Sequence, residues 1–329
     1  RSTEPPVNVR ASDSSAEPGV VDESGLKADY VRDGFVVVRG LIDVATAARV
    51  RADVESSWDS MSRDSDRIQD LWRTSAAVRA LAANPAVVST LGGLYSMRPI
   101  PFQTLNFRTG TEQPLHADSM HFDTVPGGLM CGAWVALEHV TEGQGPLRLV
   151  PGSQRLPALS PEEFQTDAGR FDDGAYELAV CGSMADAAAL GSDDLQSPRE
   201  ITATTGDVVI WAATTLHGGS PIRNPNSTRW SQVTHYVFEG APVVTPQRSR
   251  PSEGRWRVRD PLLNLATGRS EPLMARHRPV MAIPAGEGLH RLVPPSELSW
   301  WQRTRSRAHR SARRLGIRCR LIGARLRRR

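Results

Sequence analysis

The sequence predicts a mainly β domain with flanking helices, an α+β arrangement, on three observations. From residue 96 to about 240, short apolar runs of strand length alternate with Gly, Pro, Asn and Asp. That texture belongs to a β-sandwich or barrel rather than to a parallel α/β sheet. Ahead of it, residues 41–95 carry apolar positions at helical spacing. A chain of 329 residues is long enough to bury one such core with additions.

The first 24 residues are rich in Ser, Glu, Asp and Pro without apolar periodicity, and read as a disordered leader. The domain proper is expected over 25–295. Gly34 to Gly40 encloses a β-branched run, hence a strand. Asp43 is placed to cap a helix bearing Val44, Ala47, Val50 and Val54 on one face. A second helix is expected over 68–83, broken by Asn84-Pro85, and a third over 87–94. These helices form a buttress, 41–95, because their apolar faces need a partner. The β core, 96–240, has candidate strands at 101–108, 115–122, 130–137, 147–150, 200–202, 207–212 and 231–238. Within it, 160–194 is a polar insertion of the length that forms lids or disordered loops. Residues 255–285 carry little regular signal.

The chemistry centres on His116-Ala117-Asp118. On a strand, residues two apart point the same way, so one imidazole and one carboxylate would face a common point. A second imidazole from His217 would complete two histidines and one carboxylate, a set that leaves coordination positions open and suits non-haem Fe(II). An H-x-D pair arises often by chance, and a loop pair, a buried ion pair or a core histidine are the plain alternatives. The chain carries a second such pair, His121-Phe122-Asp123. Its offset of five from His116 gives it the opposite strand parity, so both pairs cannot face one metal from a regular strand. Gly218 and Gly219 beside His217 would let backbone come close to a ligand.

The wider block resembles the phytanoyl-CoA dioxygenase family of iron(II)- and 2-oxoglutarate-dependent dioxygenases. Pro114 to Asp118, the AWVALEHV run with Trp134, the GPLRLVPGSQ run from Gly145, the GDVVIWAATTLHGGSPI run with His217 and the TRWSQVTHY run with Arg229 carry the resemblance. They fall in family order over residues 91–240, and DYVRDGFVVVRGLI at Tyr30 is similar to the family's opening. The resemblance implies a double-stranded β-helix, or jelly roll, with Fe(II) on His116, Asp118 and His217, and 2-oxoglutarate and O2 as cosubstrates. It also implies that Arg229 pairs with the distal carboxylate of 2-oxoglutarate, a fork meeting a carboxylate, with Arg223 as competitor. Trp134 would touch the cosubstrate, or be an ordinary core aromatic. Gln103 and Asn106 could hydrogen-bond its carboxylates, but differ in parity, so one of them is expected to. The implied reaction converts 2-oxoglutarate to succinate and CO2 and hydroxylates an unactivated C–H bond of a small organic or lipid-like molecule. Related halogenases lack the carboxylate that Asp118 supplies. Gly219 stands where the family often has serine, and Gln154 where histidine is common. The alternatives are a cupin-like isomerase or hydrolase using another metal, or a silent binding protein on the same fold.

Net charge is +4, but 303–329 holds 12 Arg and no acidic residue, leaving −8 for residues 1–302. The tail, 296–329, interleaves Trp, Leu and Ile with arginine. It reads as a solvated extension, or as a contact to an anionic surface, membrane or nucleic acid. Three widely spaced cysteines, Cys131, Cys181 and Cys319, exclude a disulfide framework or zinc knuckle and fit a reducing cytoplasm. The opening residues are no secretory signal, and no apolar run is long enough to span a bilayer. The partner expected is a small-molecule substrate; the sequence does not fix the oligomeric state.

Overall fold

A computed structural model describes residues 23–58, 65–166, 170–189 and 195–297. Most of the expected leader and nearly all of the arginine-rich tail fall outside these residues. Helix α1 (Glu23–Asp33), strand β1 (Phe35–Val38) and helix α2 (Val44–Trp58) open the chain. Asp43 caps α2 by accepting from the Thr46 amide at 2.7 Å; α2 buries Ala47, Val50 and Val54 as expected, whereas Val44, expected on the same face, is exposed in the first turn. The expected helix over 68–83 is in fact three pieces. Ile68–Gln69 is a short strand, β2, then comes a 3-10 turn, and α3 (Ala76–Ala82) starts at Ser75, whose side chain accepts from the Val78 amide. That capping serine resets the chain inside an apolar run. Helix α4 (Pro85–Tyr95) begins at Asn84 with proline in its first turn.

The core strands are β3 (Pro99–Phe107), β4 (Asp123–Thr124), β5 (Met130–Ala136), β6 (Leu147–Leu149), β7 (Arg199–Ile201), β8 (Val208–Ala212), β9 (His217–Gly219), β10 (Ser231–Phe238) and β11 (Val243–Val244). Six form one antiparallel sheet in the order β1-β8-β5-β10-β3-β2; three form a second, β7-β6-β9. This is the jelly-roll core. The larger sheet is buried on both faces, and its strands β5 and β8 accordingly read as nearly unbroken apolar runs. Ala133, Val135, Val208 and Ile210 pack outward with helices α1–α4. Trp134, Ala136, Val209 and Trp211, at the alternate positions, point inward with Leu147 and Leu149 of the smaller sheet.

Helix α5 (Asp173–Ala189) fills the insertion expected to be a loop or lid. It is pinned by a hydrophobic cluster of Tyr176, Val180 and Phe164 with Met120, Val150 and Leu216. The region after 255 folds as short hairpins, Leu262–Leu263 with Ser270–Glu271 and Met281–Pro284 with His290–Val293 among them. No helix among the described residues is long and apolar enough to cross a membrane.

Candidate metal centre

The expected strand over 115–122 does not form. His116 makes one antiparallel bridge with His217, and the chain then turns into a 3-10 segment, Asp118–Met120. The bridge is a hydrogen-bonded pair, each amide donating to the other's carbonyl at 2.9 Å. Residues directly opposite in such a pair share a face, and the two imidazole centroids lie 4.5 Å apart. Asp118 reaches the same point by the 3-10 turn rather than by strand alternation, with Oδ1 3.7 Å from His217 Nε2. One ligand atom from each of His116, Asp118 and His217 lies within 4.8 Å of the others. Gly218 and Gly219 make room for protein backbone: a Cβ at either would sit 2.6 Å from Gln113 O or from Glu112 N. They let β9 press against the segment leading to His116, which is what allows the bridge.

Each histidine is oriented through its far nitrogen. His116 Nδ1 lies 2.9 Å from the carbonyl of Pro114, and His217 Nδ1 lies 3.0 Å from that of Thr215. A carbonyl only accepts, so these contacts place the proton on Nδ1 and leave Nε2 as a free donor pair for a metal. Burial, with the neighbouring His217, lowers His116 to about 4, so the imidazole is neutral at physiological pH. Burial alone would raise the Asp118 carboxyl, but His217, His235 and His116 hold it well below the usual carboxylate range. Its Oδ2 accepts a 2.8 Å hydrogen bond from Trp211 Nε1. Two imidazoles presenting Nε2 and one carboxylate, with open positions left over, fit iron(II).

The ligands open on a cavity of about 470 Å³ that Arg229, Trp134 and Gln103 also line. Arg229 is 3% exposed. It donates from Nη1 to Gly145 O at 2.7 Å, while Nε has no partner, and burial lowers it to about 10. No carboxylate among the described residues pairs with it, so a buried guanidinium faces the cavity without an anion. A ligand carboxylate would satisfy it. Arg223, the competing candidate, lies on the surface, paired with Glu200 at 2.9 Å. Trp134 is buried, with an unpartnered Nε1.

Gln103 and Asn106 separate by parity. Gln103 faces the cavity; Asn106 is corrected, because it points to the helix side of β3 and donates to Gln232 Oε1 at 3.3 Å. His121, of the second H-x-D pair, does reach the cavity wall, with Nδ1 2.9 Å from Gln247 Oε1. Its partner Asp123 instead caps a turn, accepting from the amides of Thr124 and Gly128. Sequence reasoning missed His235 on β10. It sits opposite Gln103 in the strand register, its Nδ1 3.1 Å from Gln103 Oε1 and its Nε2 3.5 Å from Asp118 Oδ2. The available signal was strand parity, since Arg229, Val233 and His235 are even steps apart.

The fold and this ligand set together define a non-haem metal protein on a double-stranded β-helix. Residues 30–230 match the family model described as phytanoyl-CoA dioxygenase (PhyH), and the chain belongs to that family. A curated relative from Caenorhabditis elegans, "Probable phytanoyl-CoA dioxygenase", is 27% identical over 119 residues, 36% of this chain. The match spans about a third, 34%, of that relative's length. Among solved structures, the non-haem alpha ketoglutarate dependent epimerase SnoN from nogalamycin biosynthesis is 20% identical, with a TM-score of 0.53 over 82% of this chain and 98% of its own. The carbocyclase SnoK of the same biosynthesis is 16% identical, with a TM-score of 0.54 over 82% and 95%. EctD from S. alaskensis, solved with 2-oxoglutarate and 5-hydroxyectoine, is 16% identical, with a TM-score of 0.53 over 78% and 86%. At these identities the likeness is one of fold.

Proposed function

We propose that this protein is an iron(II)- and 2-oxoglutarate-dependent oxygenase that hydroxylates a small organic substrate. The observation that carries the reading is the buried Arg229 guanidinium, without a carboxylate partner, opening on the same cavity as His116, Asp118 and His217. In this reading those three residues hold the iron, and Arg229 takes the far carboxylate of 2-oxoglutarate in a two-point contact. Trp134 walls the cosubstrate, and Gln103 offers it a hydrogen bond from the β3 face. When bound, iron with 2-oxoglutarate and O2 supplies oxidative decarboxylation to succinate and CO2 coupled to oxidation of a C–H bond. The chain's own work is to bind, orient and exclude water. The apolar floor of Trp134, Leu147 and Val233 beneath the site keeps dielectric low around the charged groups. Asp118 retains the carboxylate ligand, which favours hydroxylation over transfer of a halide. The epimerase SnoN and the carbocyclase SnoK mark other outcomes that this scaffold serves.

The test is anaerobic addition of Fe(II) and 2-oxoglutarate to the purified protein, following the visible charge-transfer band of the chelate. Wild type should show the band, His217→Ala should lose it, and Arg229→Ala should need far more 2-oxoglutarate to develop it. A wild-type protein that binds zinc or manganese and gives no band would sink the oxygenase reading.

A further inference from the structure

Helix α5 reaches the metal centre through one side chain. Tyr176 is 4% exposed, and its Oη accepts a 3.0 Å hydrogen bond from the backbone amide of Ala117, the residue between His116 and Asp118. Ala117 leaves the His116 bridge in extended conformation and precedes the 3-10 turn, so its amide belongs to no strand ladder. Without the phenol, that amide would lack an acceptor in a largely apolar setting.

The phenol is held rigidly. Its ring packs on Phe164 and Phe171 at centroid distances of 5.5 and 5.7 Å, and those two rings lie 5.9 Å apart. The same cluster includes Met120 and Leu216, with Leu115 and Ala117 packed against it. These residues flank the three ligands in sequence: Leu115 and Ala117 beside His116, Met120 after Asp118, Leu216 before His217. The insertion therefore docks on the back of the ligand-bearing backbone, away from the face that the metal would take. Its near end is also tied down, since Gln165 Nε2 donates to Ser249 O at 2.9 Å.

We infer that Tyr176 is a positioning residue for the metal centre: its hydrogen bond to Ala117 sets the geometry of the His116–Asp118 turn, so that docking of helix α5 and the arrangement of the ligands are coupled. This inference rests on the iron reading above. It makes the insertion part of the site's supporting framework, in the way that groups behind metal ligands tune affinity and orientation.

The experiment compares wild type, Tyr176→Phe and Phe171→Leu by three measurements. These are anaerobic iron titration with 2-oxoglutarate, thermal unfolding without metal, and hydrogen exchange of the Ala117 amide. Tyr176→Phe keeps the ring and loses only the acceptor. It should bind iron about tenfold more weakly and shift the chelate band, with a drop in melting no larger than that of Phe171→Leu. Phe171→Leu loosens the aromatic packing but spares the hydrogen bond, so it should lower melting and leave iron affinity and band in place. In wild type the Ala117 amide should exchange slowly. Equal iron affinity and an unchanged band in Tyr176→Phe would overturn the inference. So would an Ala117 amide that exchanges like an exposed one, a measurement on wild type that stands even if a variant fails to fold. No band in wild type overturns the iron reading and this proposal with it, and is told apart from the other failures by the unmutated protein alone.

Discussion

Trp211 donates its indole N–H to the Oδ2 oxygen of Asp118 at 2.8 Å, from a side chain that is 2% exposed. The bond fixes which carboxylate oxygen is free to meet a metal. It also gives a buried carboxylate oxygen a donor that it would otherwise lack. Trp211→Phe keeps an aromatic body and removes the donor. We expect iron affinity about tenfold lower. The freed carboxylate can also turn within the site, so the visible band of the iron chelate should shift. Iron titrations followed by that band check both.

Gly132 on β5 is what admits that tryptophan. A Cβ there would overlap the Trp211 ring, and the two residues are cross-strand partners in the β5–β8 register. Gly132→Ala should therefore displace Trp211 and reproduce the weaker iron binding of Trp211→Phe. It should add about 1–3 kcal/mol of destabilisation from overpacking. Denaturant unfolding of the metal-free protein, read beside the iron titration, separates the two effects. If Gly132→Ala binds iron as wild type does, Trp211 is not held in the way described.

Gln103 and Asn106 make a paired prediction, because one faces the cavity and the other does not. Gln103→Ala should raise the 2-oxoglutarate concentration needed for half-formation of the chelate by about five- to tenfold, the worth of one hydrogen bond. Asn106→Ala should leave that concentration unchanged and lower stability by about 1 kcal/mol through the lost bond to Gln232. The reverse pattern would mean that β3 presents its other face.

How much of this was legible follows from which forces are local. Strand β10 spans residues 231–238 as expected, and α2 buries three of the four residues its spacing marked, with Val44 of the first turn left exposed, because each element is set largely by its own apolar pattern. The 115–122 segment carries the same kind of pattern yet turns at Asp118, where the Ser119 amide finds Ala213 O at 2.9 Å. That acceptor is some ninety residues away, and no local rule names it. His235 hid for the same reason: its neighbour Gln103 is fixed by register across β10 and β3, which a single strand does not disclose. Helix α5 was masked by its polar, Asp-rich flanks, although Asp172 Oδ1 caps it by accepting from Ala175 N at 3.0 Å. The ligand triad was readable because chemistry restricts metal ligands to few residue types. The Trp211 and Tyr176 contacts behind it were not, since either aromatic alone reads as core.

Asp207 offers a test of the scaffold away from the site. Its carboxylate is buried at the start of β8 and accepts from Arg39 Nη1 at 2.7 Å, from the Gly40 amide at 2.8 Å and from the Thr204 amide at 2.7 Å. Together these fasten β1 and the turn before β8 to one another. Burial opposes ionisation, but the Arg39 bond and the two amides outweigh it and lower the carboxyl below its ordinary 3.8. A depressed folded-state value means the charged form stabilises the fold above pH 3.8, and that this contribution drains away as the pH falls through the lower value. Asp207→Asn should cost about 2 kcal/mol at neutral pH, since one amide N–H must then face a donor. The gap between variant and wild type should narrow below about pH 4, as the wild-type carboxyl itself takes up a proton. Urea unfolding at pH 7 and pH 3 measures both gaps, and a difference that stays constant between them would show that the charge on Asp207 contributes nothing.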